Sequence, residues 1–215
     1  MSVEAKICGI NAPAALAAAL SGGARLVGFI FYPPSPRHLS REAAAALARD
    51  VPAGITRTGV FVDPDDALLA ATLAVVPLDL LQLHGHESAE RVAAVKRRFG
   101  KPVMKAIAVA GAADLGTARS YFGVADQLLF DAKPPKEDAA ALPGGNGLAL
   151  DWQLLRERRW PLPWILSGGL TVDTVGEAVR ISGAPRVDVS SGVESAPGIK
   201  DPALIRAFLA RVRAL

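Results

Sequence analysis

Short apolar segments alternate with longer Ala- and Leu-rich segments along the whole chain, and this alternation constrains the fold most strongly. The short segments are rich in Val, Ile and Leu, which is typical of parallel strands that are buried on both faces. We therefore predict eight strands, at residues 3–8, 24–31, 56–62, 78–83, 102–109, 126–131, 163–167 and 186–190.

The segments between these strands are predicted to be helices, near residues 12–20, 40–50, 64–75, 87–98, 112–121, 151–158, 172–181 and 201–213. Four of them begin with residues that commonly cap a helix N-terminus. These are Ser40, Asp63 before Pro64, Thr171, and Asp201 before Pro202. A proline in the first helical position fits the same signal, since that residue needs no backbone donor.

Eight strand–helix units in strict alternation over 215 residues match the size of a closed (β/α)8 barrel. No linker or low-complexity tract divides the chain, so we predict a single barrel domain over residues 1–215. An open, doubly wound sheet is the structural alternative, and it would be expected to carry Gly-x-Gly-x-x-Gly after its first strand. The turn here reads Cys8-Gly9-Ile10-Asn11, which favours the barrel.

The charge balance argues against a nucleic-acid partner. The chain has 24 Lys and Arg against 21 Asp and Glu, for a net charge of +3. The Arg-rich segments 156–159 and 206–213 are interpreted as solvated helix faces. The balance is compatible with an anionic small-molecule substrate but does not require one.

The sequence also favours a cytoplasmic protein without a membrane partner. No apolar stretch approaches the roughly 18 residues that cross a bilayer. Glu4 and Lys6 come before any long apolar run, so no secretory leader is recognised. The single cysteine excludes an internal disulfide and fits a reducing compartment.

In a (β/α)8 barrel the reactive groups gather at the C-terminal ends of the strands. Glycines and serines follow the last two predicted strands, where barrels commonly bind a phosphate through backbone N–H groups and small hydroxyls. The alternative is that the glycines only permit tight turns. We predict phosphate binding by Ser167, Gly168, Gly169, Ser190, Ser191 and Gly192.

Cys8 ends the first predicted strand, and Lys6 projects to the same face two residues earlier. A nearby cation favours the thiolate, which can act as a base or a nucleophile. Two structural alternatives remain: Cys8 as a small buried apolar residue, and Lys6 as the partner of a buried carboxylate.

Asp131 follows the apolar segment Gln127-Leu128-Leu129-Phe130 at the end of the sixth predicted strand. A carboxylic acid beside an apolar wall can be held protonated and can donate a proton. The alternatives are a helix cap or a buried salt bridge, for instance with Lys6 or Lys105.

Arg37 ends a loop stiffened by three prolines, which suits bidentate binding of a carboxylate, although it could be an unpaired surface residue. His84 ends the fourth predicted strand, where a scaffolding role is favoured over one in the pocket. The three histidines are scattered without a carboxylate cluster, so we predict no metal site.

These residues together resemble the phosphoribosylanthranilate isomerases, (β/α)8 enzymes of tryptophan biosynthesis. The resemblance runs almost from end to end. It is carried by Lys6-Ile7-Cys8-Gly9, Gly28-Phe29-Ile30-Phe31 through Ser35-Pro36-Arg37, Gly59-Val60-Phe61-Val62, Gln82-Leu83-His84-Gly85, Phe130-Asp131, Gly144-Gly145, Ser167-Gly168-Gly169-Leu170, and Asp188-Val189-Ser190-Ser191-Gly192-Val193-Glu194.

The resemblance implies an Amadori rearrangement of N-(5'-phosphoribosyl)anthranilate without a metal or redox cofactor. Asp131 would be the general acid that opens the furanose ring, Cys8 the general base at C2, and Arg37 the ligand of the anthranilate carboxylate. Gly144 and Gly145 would join the two Gly/Ser loops around the phosphate, and Lys6, His84 and Asp188 would line the pocket. A monomer or a homodimer is expected.

Two positions depart from the family pattern. Asn146 stands where Thr or Ser is expected after Gly-Gly, and Ser167 stands where Ala is more usual. Two rival functions are kept open. An epimerase acting on a sugar phosphate would need metal ligands at several strand ends, and a non-catalytic barrel that binds a phosphorylated ligand would need no acid–base pair.

Overall fold

Eight parallel strands close into a barrel in the order of the chain, which confirms the predicted (β/α)8 architecture. A computed structural model describes residues 2–133, 144–145 and 147–215. The barrel strands are β1 Glu4–Cys8, β2 Leu26–Ile30, β3 Thr56–Phe61, β4 Leu80–Leu83, β5 Val103–Val109, β6 Gln127–Ala132, β7 Trp164–Leu166 and β8 Arg186–Val189.

The helices are α1 Pro13–Gly22, α2 Arg41–Arg49, α3 Asp66–Leu73, α4 Ala89–Phe99, α5 Ala112–Gly116, α6 Val175–Ser182 and α7 Pro202–Arg213. Two predicted caps are confirmed. Ser40 accepts a hydrogen bond from the Ala43 backbone N–H. Asp201 accepts from the N–H groups at the start of α7, next to Pro202.

Two predicted caps are wrong, because the helices begin later than the sequence signals indicate. The cap of α3 is Asp65, while Asp63 accepts a hydrogen bond from the His86 backbone N–H at 2.6 Å. The cap position of α6 is Thr174, whose backbone N–H donates to the Thr171 hydroxyl at 3.2 Å.

Two predicted helices are shorter than expected. The segment 112–121 divides into α5 and a 3-10 helix at Thr117–Tyr121, and only a 3-10 helix at Trp152–Leu155 forms within 151–158. The Arg-rich segment 156–159 is exposed but follows that 3-10 helix rather than lying on a helix face. The arginines of 206–213 are exposed on α7, as predicted.

A short antiparallel hairpin interrupts the last strand–helix unit. After a 3-10 turn at Ser191–Val193, strand β9 at Glu194–Ala196 pairs with β10 at Ile199–Lys200 before α7 begins. The alternation of the sequence does not predict this hairpin, because both strands are too short to show a period. It places Glu194 and Lys200 next to the site described below.

Apolar side chains pack on both faces of the barrel sheet. The barrel interior is filled by a compact cluster, namely Leu26, Leu80, Met104, Ala106, Leu129 and Ile165. A larger layer packs between the strands and the helices and includes the aromatic ring of Phe130, which lies 4.5 Å from that of Trp160. No helix among the described residues is long and apolar enough to span a membrane.

Strand register decides which side chains meet above the apolar interior. In the pairing of β1 with β8, Lys6 is the Cα partner of Asp188, and in the pairing of β1 with β2, Cys8 is the partner of Gly28. Partners across a parallel pair project to the same face of the sheet. The register therefore brings a lysine, a cysteine and an aspartate together at one end of the barrel.

Candidate active site

A pocket opens at the C-terminal ends of the barrel strands. It brings together twelve of the fourteen predicted site residues, which lie far apart in the sequence. They are Cys8, Arg37, His84, Asp131, Gly144, Gly145, Ser167, Gly168, Gly169, Asp188, Ser190 and Ser191.

Lys6 and Gly192, the other two predicted site residues, do not line this pocket. Lys6 is completely buried below it, in the barrel wall. A Cβ atom at Gly192 would collide with the backbone oxygen of Leu170, so the structure gives this glycine a packing role. Lys6 therefore does not line the pocket as predicted, whereas phosphate binding by Gly192 stays a prediction.

Cys8 lies at the floor of the pocket beside a buried ion pair. The Lys6 Nζ is 2.8 Å from the Asp188 Oδ1, which confirms that Lys6 neutralises a buried carboxylate. Burial raises the pKa of the Cys8 thiol, Lys6 lowers it in part, and the Asp188 charge raises it. Burial by itself would lower the pKa of Lys6, but the charges of Asp188 and Cys8 raise it overall.

Gly28 makes room for this group from the neighbouring strand. A Cβ atom there would lie 3.0 Å from the Cys8 Sγ and 3.3 Å from the Lys6 Nζ. Any side chain at residue 28 would press on the thiol and the ammonium group. The absence of a side chain at this position thus lets Cys8 and Lys6 occupy one face of the barrel.

Asp131 is held by one backbone hydrogen bond and lies beside the His84 imidazole. Its Oδ1 accepts from the Ala132 backbone N–H at 2.9 Å, and its Oδ2 lies 3.2 Å from the His84 Nε2. The His84 Nδ1 in turn lies 2.9 Å from the Gln82 Nε2. With the Gln82 amide donating, the His84 Nδ1 is the acceptor, and the proton of a neutral imidazole is then on Nε2.

The salt bridges left open as an alternative for Asp131 do not form. Lys6 pairs with Asp188, and Lys105 pairs with Glu87 at 2.9 Å. His84 therefore both lines the pocket and supports Asp131. Gly144 lies directly over this pair, since a Cβ atom there would be 2.7 Å from the Asp131 Oδ2.

Arg37 is buried, and a protein carboxylate already binds it. Its Nε donates to the Glu194 Oε1 at 2.7 Å, and its Nη2 donates to the Glu194 Oε2 at 2.8 Å. The same Nη2 lies 3.2 Å from the Gly145 carbonyl oxygen. Two edges of the guanidinium are thus occupied, and its Nη1 group lies against Gly145 at the pocket.

Glu194 and Lys200 are buried charged residues that the sequence argument did not select. Lys200 donates to the Glu194 Oε1 at 2.6 Å and to the Ser190 carbonyl oxygen at 2.8 Å. Glu194 ends the last motif of the family resemblance, but nothing local to it indicates an arginine 157 residues away. Because the hairpin itself is not predicted, its two charged residues carried no local signal in the sequence.

The glycines after β7 serve both the turn and the pocket. Gly168 and Gly169 have φ angles of 90° and 65°, a left-handed conformation that other residues adopt at a cost. The same two residues line the pocket beside Ser190 and Ser191. The prediction of phosphate binding and the alternative of tight turns are therefore compatible for these glycines.

Among the residues that the structure describes, no group of three or more His, Cys, Asp or Glu side chains could hold a metal ion. Asn146, one of the two positions that depart from the family pattern, lies outside the described residues. What the site offers chemically is a thiol, a carboxyl group, a guanidinium and a Gly/Ser-rich rim.

Comparison with known proteins identifies the family. A sequence model of the family described as N-(5'phosphoribosyl)anthranilate (PRA) isomerase matches residues 5–211. A protein of Rhodospirillum centenum named N-(5'-phosphoribosyl)anthranilate isomerase is 61% identical over 215 residues, covering 100% of both chains. A protein of Paracoccus denitrificans with the same name is 59% identical, covering 100% of this chain and 99% of the relative.

Solved structures agree with the sequence matches. The crystal structure of phosphoribosyl anthranilate isomerase from Thermotoga maritima has a TM-score of 0.87 and 34% identity, covering 99% of this chain and 100% of that one. A crystal structure of such an isomerase in complex with reduced 1-(o-carboxyphenylamino)-1-deoxyribulose 5-phosphate has a TM-score of 0.83 and 33% identity, with the same coverage. The chain belongs to the N-(5'-phosphoribosyl)anthranilate isomerase family.

Proposed function

We propose that this chain isomerises N-(5'-phosphoribosyl)anthranilate to 1-(2-carboxyphenylamino)-1-deoxyribulose 5-phosphate. One observation carries the proposal: Cys8 at the end of β1 and Asp131 in β6 line one pocket, with the Gly/Ser loops after β7 and β8 between them. Family membership and a related structure that contains a reduced product analogue support the same reaction.

The reaction needs one acid and one base that act on an anchored sugar. Asp131 would protonate the furanose ring oxygen, so that the ring C–O bond breaks and a Schiff base forms. The carboxylate left behind would be stabilised by the Ala132 N–H, which donates to its Oδ1, and the His84 imidazole lies 3.2 Å from its Oδ2.

Cys8 would then remove the proton from C2 as a thiolate, and the electron pair of that C–H bond would form the enamine. Tautomerisation of the enamine gives the ketone, so no external oxidant or reductant is consumed. The neighbouring Lys6 ammonium would stabilise the thiolate, while Asp188 keeps Lys6 in place. Arg37 would hold the anthranilate carboxylate, and the Gly/Ser loops would hold the phosphate.

The proposal is tested by the decay of anthranilate fluorescence when purified protein consumes freshly made substrate without added metal. We expect Cys8→Ser and Asp131→Asn each to lower kcat by about 10²–10⁴-fold. Asp126→Asn is a matched control, because Asp126 precedes the other end of β6 and contacts Lys96 and Val103 instead of the pocket. Its kcat should stay normal.

Three results would contradict parts of this proposal. A folded wild type without turnover would reject the isomerase activity and would favour a non-catalytic barrel if the product analogue still bound. Near-normal turnover of Cys8→Ser would place the base elsewhere. Near-normal turnover of Asp131→Asn would do the same for the acid.

We also propose that the chain is a single barrel domain that acts in the cytoplasm as a monomer or a homodimer, without a nucleic-acid or membrane partner. One related structure is described as monomers generated from the dimeric isomerase of Thermotoga maritima. Light scattering of the purified protein would distinguish the two oligomeric states.

A further inference from the structure

Lys200, on the short hairpin after β8, is a buried cation that does not itself line the pocket. Its Nζ donates to the Glu194 Oε1 at 2.6 Å, to the Ser190 carbonyl oxygen at 2.8 Å and to the Ser190 Oγ at 3.2 Å. A protonated lysine has three N–H donors, and each has an acceptor here. These three acceptors therefore favour the protonated form of Lys200.

Glu194 lies between this ammonium group and Arg37. Its Oε1 accepts from both cations, and its Oε2 accepts from the Arg37 Nη2 and from the Gly198 backbone N–H at 3.1 Å. Burial by itself would raise the pKa of Glu194, but the bonds and charges of Arg37 and Lys200 lower it overall. Burial lowers the pKa of Lys200, and the Glu194 charge opposes this effect.

The net charge of the cluster formed by Arg37, Glu194 and Lys200 indicates what Lys200 contributes. Arg37 and Glu194 alone form a bidentate pair that is electrically neutral, so an incoming carboxylate would find no net positive charge there. Lys200 adds one positive charge behind the pair. The cluster of Arg37, Glu194 and Lys200 then carries one net positive charge, which matches one carboxylate of a ligand, and Arg37 is its only member that lines the pocket.

We propose that Lys200 is a positioning residue for the substrate carboxylate: it offsets the charge of Glu194, so that Arg37 stays rigidly held and still attracts an anion. The inference rests on the proposed function, since it requires a ligand with a carboxylate near Arg37. Lys200 acts through Glu194 and Arg37 and does not touch the reacting atoms.

The experiment compares two non-reacting ligands by calorimetry. One is reduced 1-(o-carboxyphenylamino)-1-deoxyribulose 5-phosphate, and the other is the same molecule without the carboxyl group. We expect Lys200→Gln to weaken binding of the carboxylate ligand by about tenfold, equivalent to about 1.4 kcal/mol. Binding of the ligand without the carboxyl group should change much less, because both ligands share the phosphate and the sugar.

Lys200→Arg keeps the charge and should retain most of the affinity for the carboxylate ligand. Removal of Lys200 leaves a neutral Arg37–Glu194 pair instead of an isolated buried charge, so the variant should fold. Lys200→Met is a second neutral variant for the same measurement. Lys96→Gln is the control, because it also removes a lysine that pairs with a carboxylate, but the Lys96–Asp126 pair is partly exposed at the other end of β6 and its loss leaves no buried charge.

The outcomes separate the inference from the function on which it rests. If the wild type neither binds the carboxylate ligand nor turns over substrate, the proposed function fails. Suppose that the wild type does both. If Lys200→Gln then loses affinity equally for the two ligands, Lys200 acts through Ser190 on the phosphate loop, and the charge argument is overturned. Unchanged binding of both ligands would overturn it as well.

Discussion

Two barrel strands each bury a lysine against a carboxylate at nearly the same distance. Lys6 Nζ lies 2.8 Å from Asp188, and Lys105 Nζ lies 2.9 Å from Glu87. By geometry and burial alone the two pairs are equivalent. They differ in what surrounds them: the first lies below Cys8 at the pocket, and the second lies among backbone groups.

The Lys105–Glu87 pair holds loops in place. Glu87 accepts hydrogen bonds from the backbone N–H groups of Asp63 at 2.9 Å and Gly85 at 3.0 Å, and Lys105 donates to the Gly85 carbonyl oxygen at 2.8 Å. All of these bonds tie the segments that follow β3 and β4. The loop after β4 begins with His84, so this pair supports the site only by fixing its backbone.

The Lys6–Asp188 pair instead sets the electrostatics of a reactive group. Both of its charges act on the Cys8 thiol, in opposite directions. The comparison shows that a buried ion pair does not by itself indicate catalysis. The neighbours of the pair decide whether its charges serve the fold or the chemistry.

The largest expected effect tests the equivalence of the two pairs in the fold. Asp188→Asn and Glu87→Gln each leave a buried lysine without its counter-ion, so both should lower the free energy of unfolding by about 3–5 kcal/mol. Urea denaturation of the two variants and the wild type measures this. A much smaller loss in only one variant would show that the two pairs are not equivalent in stability.

The next prediction separates the pairs by activity. Since burial raises the pKa of Cys8, kcat/KM of the wild type should keep rising with pH into the alkaline range, above the ordinary titration range of a thiol, as the thiolate forms. Asp188→Asn removes a charge that raises the pKa of Cys8, so this rise should move to lower pH. Glu87→Gln should leave it in place.

The pH profiles are measured in conditions where all three proteins are folded. An identical profile in the wild type and Asp188→Asn would mean that Asp188 does not act on the titrating base. A shift of equal size in Glu87→Gln would reject the distinction between a pair that serves chemistry and one that serves the fold.

The smallest expected effect concerns Ser167. Its hydroxyl donates to the Asp188 Oδ2 at 3.2 Å, as an additional bond to a carboxylate that Lys6 already neutralises. Ser167→Ala should therefore cost about 1 kcal/mol or less of stability and leave the pH profile nearly unchanged. A shift of the profile as large as that of Asp188→Asn would make Ser167 a determinant of the Cys8 environment.

Much of the site could be predicted from local features. Four predicted site residues lie at the end of a predicted strand or of the loop that follows it, and all four line the pocket: Cys8, Arg37, His84 and Asp131. The same reasoning could not identify partners. A salt bridge with Lys6 or Lys105 was an open alternative for Asp131, whereas the structure places His84 3.2 Å away, in contact with Gln82 two residues earlier in the chain.

The sequence predicts the barrel, but only the tertiary structure decides which distant charged residues form pairs. The eightfold alternation of apolar and Ala/Leu-rich segments fixes the (β/α)8 barrel, because each period reflects local burial that any window of the chain can reveal. The pairing of Lys6 with Asp188 joins residues 182 apart, and that of Arg37 with Glu194 joins residues 157 apart. Such pairings depend on barrel closure and strand register, which place distant charges in a low-dielectric interior where each must find a counter-ion.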